Sequence, residues 1–293
     1  MTVHMRNPAS TLEELVAPLT EAEFLVLLRE RKLTLLRGAN QDCYTNLLNW
    51  DALSRMIERG EYPRGPDHFR LSKESVMLPP DRWVSGDKAD IAKVEDYLAQ
   101  GYNITITHIE QNVPHLALLC DNIKSRLSEA TYAGVIVTRG RDGAFRVHYD
   151  PEDLIILQIE GTKRWQIFGP AVRNPVRGMP KAWPPGNALV FDEVLQPGDL
   201  LFVPAGNWHH CEAGPGRSLH LGIFIIPPTG SHAVKALTSH LLSEEMFRMP
   251  LTRFDSPSEF AALEAGVKNR LIEKIGQLKL SEFLAEWSRK RSA

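Results

Sequence analysis

The sequence predicts a mainly β fold with flanking helices, built on a barrel or jelly-roll core. Three observations carry this. From about residue 131 to Pro228, short β-branched runs follow one another, punctuated by Gly and Pro. Upstream, apolar residues recur at helical spacing in several separate segments. Downstream of Pro228 the helical spacing returns. We therefore divide the chain into helices and strands that pack on the core (1–130), a barrel core (131–228) and a C-terminal helical region (229–293).

Each element has its own signal. TEAEFLVLLRE (20–30) reads as a helix with Thr20 as N-cap. KLTLLRG (32–38) reads as a short buried strand, and NWDALSRMIERG (49–60) as a helix stopped by Gly60. Strand-like patches, HFRLS and SVML, interrupt the polar stretch 61–90. VEDYLAQG (94–101) is helical, NITITHI (103–109) alternates as a strand, and HLALLCDNIKSRLSEA (115–130) is helical again. The core strands are AGVIVTR, AFRVHYD, DLIILQIEG, KRWQIFGP, the block 192–213 and SLHLGIFIIPP. Helices are expected at 232–248, 257–275 and 280–290.

Bulk properties narrow the function classes. The net charge of −2 gives no basic field for nucleic acid. Cys43, Cys120 and Cys211 are odd in number, widely spaced and outside any CxxC pattern, which fits a reducing compartment. No run of about 18 apolar residues offers a membrane span, and the N-terminus has no apolar signal region. The expectation is a cytoplasmic protein with neither membrane nor nucleic-acid partner.

Chemistry enters at FRVHYDP (145–151). Residues two apart on a strand share a face, so His148 and Asp150 point the same way, with Arg146. Alone, a His-x-Asp pair is common, and an exposed strand end explains it equally. Support comes sixty residues on, where PGDLLFVPAGNWHH (197–210) reads as turn, buried strand, turn and histidine. Two histidines and one carboxylate with open positions form the facial triad of non-haem iron(II) oxygenases. A structural zinc prefers a closed four-ligand set. Of the adjacent pair, the spacing Pro204-x-Gly206-x-x-His209 selects His209, and strand alternation sends His210 to the other side. An iron with one aspartate keeps a positive charge, and 2-oxoglutarate would bring two negative ones. Its far carboxylate, buried, needs a cation. Lys163, past a Glu160-Gly161 hairpin turn and on the same face as Trp165, supplies one if the triad is right; a lysine starting a strand is otherwise solvated.

HYDPEDLIILQIEGTKRW (148–165) and PGDLLFVPAGNWH (197–209) resemble the JmjC-type cupin oxygenases, especially ribosomal-oxygenase-type protein hydroxylases and their bacterial relatives. The resemblance implies a double-stranded β-helix core, Fe(II) on His148, Asp150 and His209, and 2-oxoglutarate on Lys163, fifteen places after the first histidine. O2 is the second co-substrate. The family's Gln and Trp fall on Gln158 and Trp165. Weaker likeness extends over roughly 30–255. His220 occupies a place that lines the family's co-substrate pocket, and a core histidine reads equally well. After SLHL, Gly222 stands where many relatives carry Thr or Ser. The implied activity is hydroxylation of an amino-acid side chain in a protein or peptide. The same chemistry on a small molecule, or a non-catalytic cupin that binds a ligand, remain alternatives. For substrate contact the candidates are Trp208, which either walls the pocket or caps the barrel, Arg146, Tyr102 and Trp83. Arg139 and Arg141 read as a solvated face, and Cys211 as a small core residue. The C-terminal helices offer a homodimer surface.

Overall fold

The computed structural model describes residues 8–65, 67–140, 145–170, 172–179, 188–252 and 256–290. Two compact units are present, residues 1–226 and 227–293. In the first, the helices are α1 (Leu12–Val16), α2 (Glu21–Glu30), α3 (Gln41–Leu47), α4 (Trp50–Arg59), α5 (Ile91–Ala99) and α6 (Pro114–Leu127). The early strands are β1 (Thr34–Leu36), β2 (Phe69–Lys73), β3 (Val76–Met77), β4 (Val84–Ser85), β5 (Lys88–Ala89) and β6 (Asn103–Thr107). The later strands are β7 (Ala130–Arg139), β8 (Asp153–Glu160), β9 (Lys163–Pro170), β10 (Phe191–Leu195), β11 (Leu200–Val203), β12 (Asn207–Ala213) and β13 (Arg217–Ile226).

Local chemistry sets the helix ends. The Thr20 hydroxyl accepts from the Glu23 N–H while the Glu23 carboxylate returns to the Thr20 N–H, a reciprocal cap on two otherwise orphaned donors. Asn49 caps α4, and Gly60 ends it in the left-handed conformation. Pro114 opens α6, where its missing N–H costs nothing.

The strands form an antiparallel eight-stranded sheet, in the order β1-β11-β8-β13-β7-β6-β2-β3, and a three-stranded sheet, β10-β9-β12. The interior of the barrel lies between them. Alternation assigns the two faces of the large sheet. Val135 and Val137 of β7, Leu221 and Ile223 of β13, and Ile155 and Leu157 of β8 turn outward onto α1–α6 and join one core. The intervening Leu154 and Ile156 of β8, with Leu201 and Val203 of β11, turn inward. There they meet Trp165, Ile167 and Leu195 from the small sheet. Strand β8 reads as unbroken LIIL because both of its faces are buried. Full burial of each such side chain is worth roughly 1.5–3 kcal/mol.

Two buried aspartates fasten loops to this frame. Asp199, from the Pro-Gly-Asp turn, accepts from the N–H groups of Gly38 and Gln196 at 2.7 and 2.8 Å and from Arg37 at 2.9 Å, holding the segment after β1. Asp153 accepts from the Ala205 N–H at 2.6 Å, fixing the turn that leads into β12.

The structure departs from the sequence reading in definite places. Short elements α1 and α3 and the β4–β5 hairpin carry too few residues to show a period. The described part of AFRVHYD, residues 145–150, forms no strand; it pairs through an isolated bridge between His148 and His209. Glu160-Gly161 is not a hairpin turn, because β8 and β9 belong to different sheets. The chain crosses there from the large sheet to the small one, with Gly161 at φ 63°. Arg141 lies outside the described residues.

The second unit consists of α7 (Gly230–Leu241), α8 (Pro257–Gln277) and α9 (Leu280–Lys290). Thr229 caps α7 together with the side chain of His232. Arg270 of α8 bonds Glu244 at 2.7 and 2.8 Å and Glu273 at 2.6 Å. Ile272, Ile275, Leu280 and Leu284 are exposed. Among the described residues, no helix is long and apolar enough to cross a membrane.

Candidate active site

His148, Asp150 and His209 converge at one end of the barrel. The His148 N–H donates to the His209 carbonyl at 3.1 Å, and the His209 N–H donates to the His148 carbonyl at 2.7 Å. One backbone bridge thus sets the two imidazoles side by side, with ring centroids 4.4 Å apart. Asp150 is tethered separately, its carbonyl accepting from the Gly206 N–H at 2.8 Å. Asp150 Oδ2 lies 3.6 Å from His209 Nε2 and 4.0 Å from His148 Nε2. One ligand atom from each of the three lies within 4.8 Å of the others. Ligand atoms about 2.1 Å from a shared metal ion would sit about 3 Å apart, so a small inward movement closes the set.

The imidazoles are oriented for ligation. His148 Nδ1 bonds the Arg146 carbonyl at 2.8 Å, and His209 Nδ1 bonds the Asn207 carbonyl at 3.0 Å. Each backbone oxygen holds the proton on Nδ1 and leaves the Nε2 lone pair facing Asp150. Burial, and then the neighbouring His148, push the His209 pKa down to about 4, so its ring is neutral near pH 7. His209 is 4% exposed through its side chain, whereas His148 and Asp150 are 29% exposed, so the site opens on their side.

A register shift between Trp208 and His209 breaks the alternation of β12. Both side chains are buried as a result. His210 turns outward, with Nε2 3.5 Å from Glu212. Trp208 meets Tyr149 edge to face, with centroids 5.1 Å apart. Strand alternation alone predicts neither this bulge nor the shared burial.

Deeper in the barrel, Lys163 is 3% exposed. Its Nζ lies 3.2 Å from Thr138 Oγ1 and 3.4 Å from His220 Nδ1. Burial lowers its pKa. Burial, and then Lys163, push His220 well down, so His220 is neutral. Among the described residues no carboxylate pairs with Lys163. A desolvated ammonium held by neutral donors and acceptors is built to receive an anion. Trp165 lies between the two centres, its ring 5.4 Å from His209 and 5.8 Å from His220. Its indole N–H is buried, with no hydrogen-bond partner among the described residues. Gln158 is buried against the turn, donating to the Glu160 carbonyl at 2.8 Å and to Ser218 at 3.0 Å. Cys211 packs with the inner core.

The remaining candidates lie elsewhere. Arg146 is exposed and serves His148 through its carbonyl. Tyr102 packs on Tyr97 at 5.2 Å. Trp83 is buried against Phe69 at 4.8 Å. Arg139 is exposed. Residues that the sequence reading missed stand closer to the triad. Glu152, buried, bonds Arg177 at 2.8 Å, and Arg177 also engages the Tyr132 hydroxyl. Burial raises the Glu152 pKa, with Asp150 contributing. A buried carboxylate two places after Asp150 was the available signal.

Residues 106–233 match the JmjC domain family. That span is similar to a JmjC domain. Its relatives include the bifunctional lysine-specific demethylase and histidyl-hydroxylase NO66 of Aedes aegypti, 25% identical over 223 residues. That alignment covers 70% of this chain and 33% of the relative. Human ribosomal oxygenase 1 is 26% identical over 231 residues, covering 74% of this chain and 34% of the relative. The chain thus spans about a third of the length of these curated relatives. Among solved structures, the Escherichia coli ribosomal oxygenase YcfD in complex with cobalt and 2-oxoglutarate superposes with a TM-score of 0.58. At 15% identity, over 88% of this chain and 67% of YcfD, that likeness establishes the fold.

Proposed function

We propose that this chain is an Fe(II)- and 2-oxoglutarate-dependent oxygenase that hydroxylates an amino-acid side chain of a protein or peptide. One observation carries the reading most directly. Lys163, a buried cation with no carboxylate partner among the described residues, stands in a barrel that holds two imidazoles and a carboxylate. The residues fit both groups. His148, Asp150 and His209 would hold iron on one face, leaving the other positions for 2-oxoglutarate and O2. Lys163 would take the far carboxylate, with Thr138 as a neighbouring hydroxyl. Bound there, iron and 2-oxoglutarate supply oxidative decarboxylation to succinate and CO2, coupled to hydroxylation of a C–H bond. The protein's own work is to keep His209 neutral, orient both imidazoles, neutralise a buried carboxylate and exclude water behind Trp165.

Histidine and lysine side chains are the first substrates to test, because relatives bear the names histidyl-hydroxylase and lysine-specific demethylase. The deciding experiment is succinate release from 2-oxoglutarate with Fe(II) and ascorbate, against peptide and metabolite pools. Wild type should release succinate and His148→Ala should not. Absence of any His148-dependent succinate sinks the reading. We further propose a reducing, cytoplasmic setting, supported by three cysteines that are widely spaced in sequence and outside any CxxC pattern, and a homodimer through the C-terminal helices, supported by the exposed Ile272, Ile275, Leu280 and Leu284.

A further inference from the structure

The inward face of the large sheet contains a cross-strand pair of glycines. Gly222 of β13 pairs directly with Gly134 of β7. Two positions further along each strand, on the same face, Phe224 pairs with Tyr132. Their rings stack at 4.6 Å with 2° between planes. His108 stacks on Tyr132 at 4.5 Å. The Phe224 ring therefore lies over the two glycines. A Cβ on Gly222 would come within 2.9 Å of Phe224 Cε2, and one on Gly134 within 3.0 Å. Neither glycine has positive φ, so the need for glycine comes from the ring and not from the backbone.

The location gives this packing its meaning. Outward-facing Val135, Val137, Leu221 and Ile223 are all 0% exposed. Inward-facing Tyr132, Ile136 and Phe224 are only partly buried. Solvent therefore reaches the barrel interior along this face. The face also has a direction. Thr138 and His220 stand at Lys163. Gly222 is the next inward position after His220, and Phe224 the one after that. Beyond Phe224, Tyr132 feels the charges of Glu152 and Asp150 and engages Arg177. A group entering toward Asp150 meets the Phe224–Tyr132 stack before it reaches the Lys163 end.

We propose that Phe224, seated on the Gly134–Gly222 pair and backed by Tyr132 and His108, is the wall that sets which side chain reaches the metal site. This rests on the oxygenase reading for its place in a reaction, but the wall itself is a matter of binding. Removing the ring should admit bulkier groups. Adding a Cβ beneath it should push the ring into the open space and shrink the site.

The test needs no turnover. The full chain is loaded with Mn(II) and 2-oxoglutarate. Binding of the N-acetyl amides of alanine, leucine, histidine and tryptophan is read from paramagnetic relaxation of their protons. In Phe224→Ala the tryptophan-to-alanine affinity ratio should rise at least about tenfold, the scale on which one pocket wall discriminates. In Gly222→Ala the ratio should fall. Phe224→Leu and Gly134→Ala are the milder pair, should either first variant fail to fold by circular dichroism. Ratios that stay within twofold of wild type in folded variants overturn the proposal, as does wild type relaxing none of the four amides. Relaxation that responds to Phe224 but is indifferent to 2-oxoglutarate keeps the wall and sinks the 2-oxoglutarate reading.

Discussion

Lys163 concentrates the conflict between stability and binding in one side chain. Its ammonium is desolvated beside Thr138 and a neutral His220, and its pKa is lowered accordingly. Lys163→Met keeps the aliphatic stem and removes the charge, so the ligand-free protein should melt higher, by on the order of 1 kcal/mol. Wild type should melt higher with 2-oxoglutarate, and the same change should abolish that shift. Melting curves with and without 2-oxoglutarate check both halves. Glu129, at the junction of α6 and β7, gives a pH prediction. Burial, then Asp153, raise its pKa from 4.5 to about 7. The folded state thus favours the protonated acid. That stability is fully present below pH 4.5 and is lost as pH rises through 7. Glu129→Gln should remove the loss, stabilising the protein at pH 8 relative to pH 5. Partial exposure discounts the gain to about 1–2 kcal/mol, and urea midpoints at the two pH values measure it. That His148, Asp150 and His209 would converge was legible, because imidazoles and carboxylates able to share a metal come from few residue types. The side-chain stack His108–Tyr132–Phe224 was not, since its members lie on β7, β13 and the turn after β6.

The crossing between β8 and β9 is the element on which Lys163 depends. Gly161 holds φ 63°, and a Cβ there would lie 2.1 Å from the Arg217 carbonyl oxygen. That oxygen belongs to the backbone of β13 and has no room to yield. Gly161→Ala should cost about 1–3 kcal/mol and displace the start of β9, weakening 2-oxoglutarate binding with less effect on metal affinity. Calorimetric titration of the two ligands separates these effects. The sequence announced a tight turn at this point but not its kind, because Glu-Gly between two apolar runs reads the same whether the chain returns within one sheet or passes to another. AFRVHYD misled for a related reason. It has strand composition, yet its described residues pair through a bridge at His148, at the barrel mouth where the ladder ends. Long strands and capped helices were legible from period and cap chemistry, whereas two-residue strands and five-residue helices carry no period.

On the scale of the molecule, the two units differ in how they bury apolar surface. The first has two cores separated by the large sheet. In the second, α8 runs from Pro257 to Gln277 with no buried residue among those described. A helix of that length gains its stability from packing more than from intrinsic propensity. Ile272→Glu with Ile275→Glu should therefore turn a dimer into a monomer, with the spectroscopic signature of the barrel intact. Light scattering at several concentrations reads the mass, and an unchanged mass rejects the C-terminal dimer. The order of helices, barrel and helices was legible from the change of period near 131 and again near 228. The membership of β2, β3 and β6 in the large sheet was not, because pairing partners far apart in sequence leave no local trace.

The backbone bridge between His148 and His209 has a consequence for metal identity. Two candidate ligands locked to each other by paired backbone hydrogen bonds stand together without an ion, so little ordering would remain to be done on binding. Such a seat accepts divalent ions of similar size and does not force one geometry upon them. Affinity for imidazole and carboxylate rises from iron toward copper across the first-row series, so the seat by itself prefers the wrong occupant. Iron would hold such a seat through its supply in the cell, and copper, nickel and zinc would be its competitors.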